Sequence, residues 1–161
     1  PLELHLLACD ACASRLREVE ALIDAVRHLA RSGTLRLVVT DEFVARLAAN
    51  GAQVRQYYLE PGGSVHCTVT AEDDLLIARL AADLTGITSA DLCLCDPSGA
   101  ELRRLPDIPI HTGAVVYQES IAFAKASPTS TMIGRLVTRD PAGHDRLLGE
   151  YTFHHTRIIP G

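Results

Sequence analysis

Two four-residue segments, Asp96-Pro97-Ser98-Gly99 and Asp140-Pro141-Ala142-Gly143, each stand between β-rich runs and constrain how the second part of this chain can fold. Proline in the second place of a turn has its φ already set for reversal. Asp91 to Cys95 with Glu101 to Leu105, and Ile133 to Arg139 with Leu147 to Ile159, are therefore expected to form antiparallel hairpins. Between them, Val115 to Glu119 reads as a strand, Ser120 to Ala126 fits either helix or strand, and Ser127 to Thr131 reads as a loop.

The first part has a different rhythm. Leu2 to Ala8, with leucines at 4, 6 and 7, reads as a short buried strand. From Ala13 to Ala30 the apolar Leu16, Val19, Leu22, Ile23, Val26 and Leu29 recur at helical spacing, and Gly33 supplies a stop. Leu35 to Val39 is a strand, and Thr40 caps a short helix carrying Phe43, Val44 and Leu47 that ends at Gly51. Val54 to Leu59 and Ser64 to Thr70 are strands around a Pro61-Gly62-Gly63 turn. Thr70-Ala71-Glu72-Asp73 has the form of a capping box, predicting a helix through Leu75, Leu76, Leu80 and Leu84 to Gly86. Crossovers favour parallel pairing and hairpins favour antiparallel pairing. The fold class is thus α/β in the mixed α+β sense, with a βαβα start, one mixed sheet and about three helices. It is a single domain over 1–161, with possible sub-lobes 1–98 and 99–161.

Composition narrows the functional classes. Residues 1–98 carry 8 Arg against 14 Asp plus Glu, and residues 99–161 carry 7 basic against 6 acidic, giving −6 and +1 and the total of −5. Neither part offers the basic field that nucleic acid requires. Aromatics are 4% with no Trp, which also disfavours single-strand binding by stacking. No segment approaches the roughly 20 apolar residues that span a bilayer. Five cysteines without a secretion signal point to a reducing cytoplasm. The signatures of P-loop, dinucleotide, serine-hydrolase and zinc-protease sites are absent from the sequence.

Three constellations could carry chemistry. In Cys9-Asp10-Ala11-Cys12, at the end of the first strand and the start of the first helix, helix-terminal amides would lower a thiol's pKa. Over about the first forty residues this placement resembles the start of thioredoxin-type folds, which implies thiol–disulfide exchange. The same pair could instead bind zinc, with Cys93 and Cys95, two apart on one strand face, as further candidate ligands. Cys67 alternates with Val65 and Val69 and reads as core.

The second constellation is His66-Cys67-Thr68 with His154-His155-Thr156. Strand alternation puts His66 with Thr68, and His154 with Thr156, on single faces. Two such pairs across a cleft resemble two-histidine phosphoesterases, which implies acid–base attack on a phosphodiester. The third is a polar group of His111, Tyr117 and Glu119 with His154, Thr156 and Arg157 of the last strand, suited to lining a pocket. These polar C-terminal strands favour a binding domain for a small molecule or a protein chain, with a regulatory or accessory role. No cofactor is named by the sequence, and the long strand from Leu147 could pair edge to edge in a homodimer.

Overall fold

A computed structural model describes residues 2–31, 36–110 and 113–157. The chain is mixed α/β. Its described elements run α1 (Leu2–Ala8), α2 (Asp10–Arg31), β1 (Leu37–Val39), α3 (Asp41–Ala49), β2 (Val54–Leu59), β3 (Ser64–Thr68), β4 (Leu75–Ala81), β5 (Ser89–Cys95), β6 (Glu101–Pro109), β7 (Ala114–Glu119), α4 (Ile121–Ala126), β8 (Ser130–Arg139) and β9 (Asp145–Thr156).

The expected single mixed sheet is two. One has the order β1-β7-β4-β2 and the other β3-β9-β8-β5-β6. Each contains one parallel pair, β2 with β4 and β3 with β9, among antiparallel neighbours. Residues before and after position 98 share both sheets: β7 lies between β1 and β4, and β9 between β3 and β8. β9 pairs with β8 along its length but with β3 only from Thr152 to Thr156, so the part of β9 from Leu147 that would pair in a homodimer has a strand neighbour on one side only.

The two sheets bury a common core. Leu59, Ala78, Leu80, Val115 and Tyr117 from the first meet Cys67, Leu92, Leu94, Leu136, Tyr151 and Phe153 from the second. Alternation sends the other residues outward. On the outer face of the first sheet, Val44 of α3 packs on Ile77 and Val116. At one end Ile121 and Ala124 of α4 pack with Val69 and Leu76.

Both Asp-Pro turns form as expected and do so alike. Asp96 Oδ1 accepts the amides of Ser98 and Ala100 at 2.8 and 3.0 Å, and Asp140 Oδ1 those of Ala142 and His144 at 2.8 and 2.9 Å. Gly99 and Gly143 close them at φ of +86° and +84°, where a side chain would be strained. Thr40 caps α3, its hydroxyl accepting the Phe43 amide at 3.2 Å.

Two expected elements change type, and the described helices number four where about three are expected. The segment after Thr70 is strand β4 rather than a helix. Asp73 does bond back to Thr70, accepting its amide at 2.7 Å, but the same carboxylate also takes Arg55 Nε at 2.6 Å and fixes a turn. The unbroken run Leu75-Leu76-Ile77-Ala78 then enters the middle of a sheet covered on both faces, where apolar residues need not alternate. Conversely Leu2–Ala8 is helix α1 rather than a strand. It contains no β-branched residue and consists of good helix formers apart from His5, so nothing local holds it extended. Ser120 also resolves the ambiguous segment, capping α4 through the Phe123 amide at 3.1 Å. The stop at Gly33 and the strand start at Leu35 lie outside the described residues.

Tyr151 has no exposure and its hydroxyl donates across the sandwich to the Ala81 carbonyl at 2.5 Å. A Cβ at Gly149 would overlap that hydroxyl. Gly149→Ala is expected to lower the unfolding free energy by about 1 to 3 kcal/mol through overpacking. Tyr151→Phe should cost about 1 kcal/mol from the unpaired carbonyl. The double variant should cost less than the sum, because phenylalanine lacks the oxygen that the new methyl meets; strictly additive urea midpoints would contradict this contact.

Candidate functional site

The break between α1 and α2 is one residue long, and it gathers three metal-ligating side chains. Cys9 stands at the N-cap of α2, its carbonyl accepting the Ala13 amide at 3.0 Å. His5 lies one helical turn before it, and Cys12 within the first turn after it. The His5 ring nitrogens, Cys9 Sγ and Cys12 Sγ offer donor atoms that all lie within 4.8 Å of one another, and His5 Nε2 stands 3.1 Å from Cys12 Sγ. Among the described residues no other group of three His, Cys, Asp or Glu side chains converges in this way. The thioredoxin-like setting of a strand feeding a helix is not what surrounds the pair, since a helix precedes it.

The two thiols are not equivalent. The Cys12 amide points at the Cys9 sulfur and, with the Cys12 thiol and the Ala11 amide, holds the Cys9 pKa below the ordinary thiol value. Cys12 is pushed up, because its thiol proton is shared with Cys9 and a second negative charge there would face the first. Cys9 is therefore the easier of the two thiols to deprotonate, for a cation or for an electrophile.

Cys93 and Cys95 do not join this cluster. They share the outer face of the second sheet, 2% and 1% exposed, packed with Val137 and Ile133. Burial pushes the Cys93 thiol up to about 12 and raises Cys95 as well, the reverse of what a thiolate ligand needs. Cys67 is core, as its alternation implied, and burial pushes it up to about 11.

The two His-x-Thr segments do meet, but not across a cleft. β3 and β9 are adjacent and parallel in a register that pairs His66 with His154 and Thr68 with Thr156. The imidazoles stack with centroids 4.9 Å apart, and His154 Nδ1 is 3.2 Å from Thr131 Oγ1. Stacked neighbours on one sheet face leave no room between them for a phosphodiester, so the opposed acid and base of that resemblance are not built.

The third group separates. His111 lies outside the described residues. Tyr117 and Glu119 point between the sheets, where the Tyr117 hydroxyl donates to Glu119 Oε2 at 2.9 Å and the Ser120 amide to Oε1 at 2.6 Å. Arg36 completes the carboxylate's shell as an ion pair. Burial, then the adjacent carboxylate, raises the Tyr117 pKa and keeps its proton in place. His154 is on the outer face, and Thr156 and Arg157 border a surface recess beside Lys125 of α4. Sequence reasoning passed over two residues: His5, hidden when Leu2 to Ala8 is read as a strand, and His155, which faces inward with Tyr151 and Phe153. Strand alternation already placed His155 on that face.

No family model and no curated protein matches the chain.

In the reduced, metal-free protein, alkylation of Cys9 by iodoacetamide should rise with pH through a midpoint below the ordinary thiol value of about 8.5. Cys12 should follow with a midpoint above it. Tandem mass spectrometry resolves the two sites, and coincident midpoints would refute the asymmetry.

Proposed function

We propose that this chain is a zinc-binding protein with a regulatory or accessory role in the reducing cytoplasm, holding the metal at His5, Cys9 and Cys12. The observation that carries the reading is the convergence of one imidazole and two thiols within 4.8 Å at a helix junction. Soft thiolates with imidazole suit zinc, which takes four ligands in tetrahedral geometry. The described residues supply three, leaving the fourth position to an exogenous donor. A metal bridging His5 to Cys9 and Cys12 would fix α1 relative to α2, so its binding energy would appear as stability of their junction.

Thiol–disulfide exchange is the second reading, and the low Cys9 with the raised Cys12 favours it as an attacking and resolving pair. A redox dithiol has no need of a third donor. The imidazole 3.1 Å from Cys12 Sγ is what tips the balance to metal.

Reduced protein titrated with Co²⁺ should show thiolate-to-metal absorption saturating at about one ion per chain, displaced by Zn²⁺. Cys9→Ser and Cys12→Ser should each abolish that band, and His5→Ala should weaken binding by at least about tenfold, roughly 1.4 kcal/mol. Bound zinc should also slow alkylation of both thiols. A band that survives in the double serine variant, or no band at all, would overturn the metal reading; rapid formation of a Cys9–Cys12 disulfide in glutathione buffer would then support exchange.

A further inference from the structure

Between the two sheets, at the end closed by α4, lies a partly open space of about 90 Å³. Its walls are apolar and aromatic: Tyr57 and Tyr117 from the first sheet, Met132 and Phe153 from the second, and Phe123 from α4 at the mouth. Phe123 is 54% exposed, so it can border an entrance.

The polar atoms around this space are nearly all spoken for. The Tyr57 hydroxyl donates to the Thr68 carbonyl at 3.0 Å and accepts the Thr68 amide at 2.9 Å. The Tyr117 hydroxyl is engaged with Glu119, and the Ser127 hydroxyl donates to the Phe123 carbonyl at 2.8 Å. Among the shielded side-chain atoms His155 Nε2 is the exception: it belongs to a residue lining the space and has no hydrogen-bond partner. A buried polar atom of this kind is uncommon unless something else completes it.

Water is a poor candidate, since a buried water needs two to four polar partners and, apart from the exposed Ser130, the walls leave one side-chain atom unpaired. Charge is disfavoured in both senses. The walls are almost wholly apolar and the one carboxylate among them, Glu119, is already paired with Arg36, so an ion of either sign would be desolvated without a partner. What remains is a small neutral molecule with an apolar body and one hydroxyl. A hydroxyl both donates and accepts, so it suits either tautomer of the imidazole.

We propose that this inter-sheet space is a binding site for a neutral, phenol-sized aromatic alcohol, its ring among Tyr57, Phe123 and Phe153 and its hydroxyl on His155 Nε2. The site is separate from the His5–Cys9–Cys12 cluster and does not depend on it.

Met132 is the sole methionine of the chain and lines the space, so protein carrying ¹³C-methyl methionine gives a single reporter resonance. Titration with phenol should shift that resonance saturably. Benzene should bind about tenfold more weakly for want of the hydrogen bond, and benzoate and benzylammonium more weakly than phenol. His155→Phe should erase the preference for phenol over benzene. Should that variant fail to fold, the wild-type series decides alone. No saturable shift with phenol, equal affinity for benzene, or tighter binding of either charged analogue would overturn the proposal.

Discussion

Tyr151 joins the two sheets by more than contact. Its ring lies wholly inside the sandwich, and its one polar atom is satisfied by the Ala81 carbonyl at the end of a strand in the opposite sheet. A hydroxyl left unpaired at that depth would cost about 1 to 3 kcal/mol. The distance between β9 and β4 is thereby fixed, and with it the spacing in which Leu80, Leu92 and Leu136 reach zero exposure. Within the second sheet the Tyr151 side chain leaves Gly149, two residues before it on β9, no room for a side chain, and Phe153 leaves Gly134 of β8 little, since a Cβ there would come within 3.2 Å of its ring. Farther toward α4 a second tyrosine, Tyr57, bridges from the first sheet to the Thr68 backbone of the second, and there the sheets enclose open space rather than packed side chains.

How much was legible in the sequence depended on whether the deciding contact was local. The Asp-Pro turns, the Thr40 cap and the hairpin strands each answer to a few neighbouring residues, and all stand where their residues imply. β4 does not, because a run such as Leu75 to Ala78 is compatible with a helix or with a doubly covered strand, and only the partners β2 and β7 decide. The pairing of His66 with His154 was likewise invisible, being set by a parallel alignment of strands far apart in sequence.

His5 shows how one local error hides a site. In a strand, residues four apart share a face but stand about 13 Å from each other, too far to hold one ion. In a helix the same spacing rises only about 6 Å. Reading Leu2 to Ala8 as extended therefore removed His5 from the neighbourhood of Cys9, although the spacing His5, Cys9, Cys12 was plain in the chain. His155 was missed differently: alternation assigned its face correctly, but its neighbours across the sandwich come from β2, β4 and β7, which no pattern within the last strand reveals.

The position of β9 has a consequence for how the molecule comes into being. Its partner β3 begins at Ser64, which pairs with Thr152, so this ladder closes a loop of 152 − 64 = 88 positions. Pairings of such long range slow folding, since the entropy of closing the loop is spent before any contact offsets it. As a chain is synthesised, β3 has no neighbour in its sheet until β9 emerges, and its exposed backbone groups remain open to wrong pairing until then. The hairpin turn at Asp140 to Gly143 shortens that interval, because it delivers β9 to β8 directly and presents the finished edge on which β3 can dock.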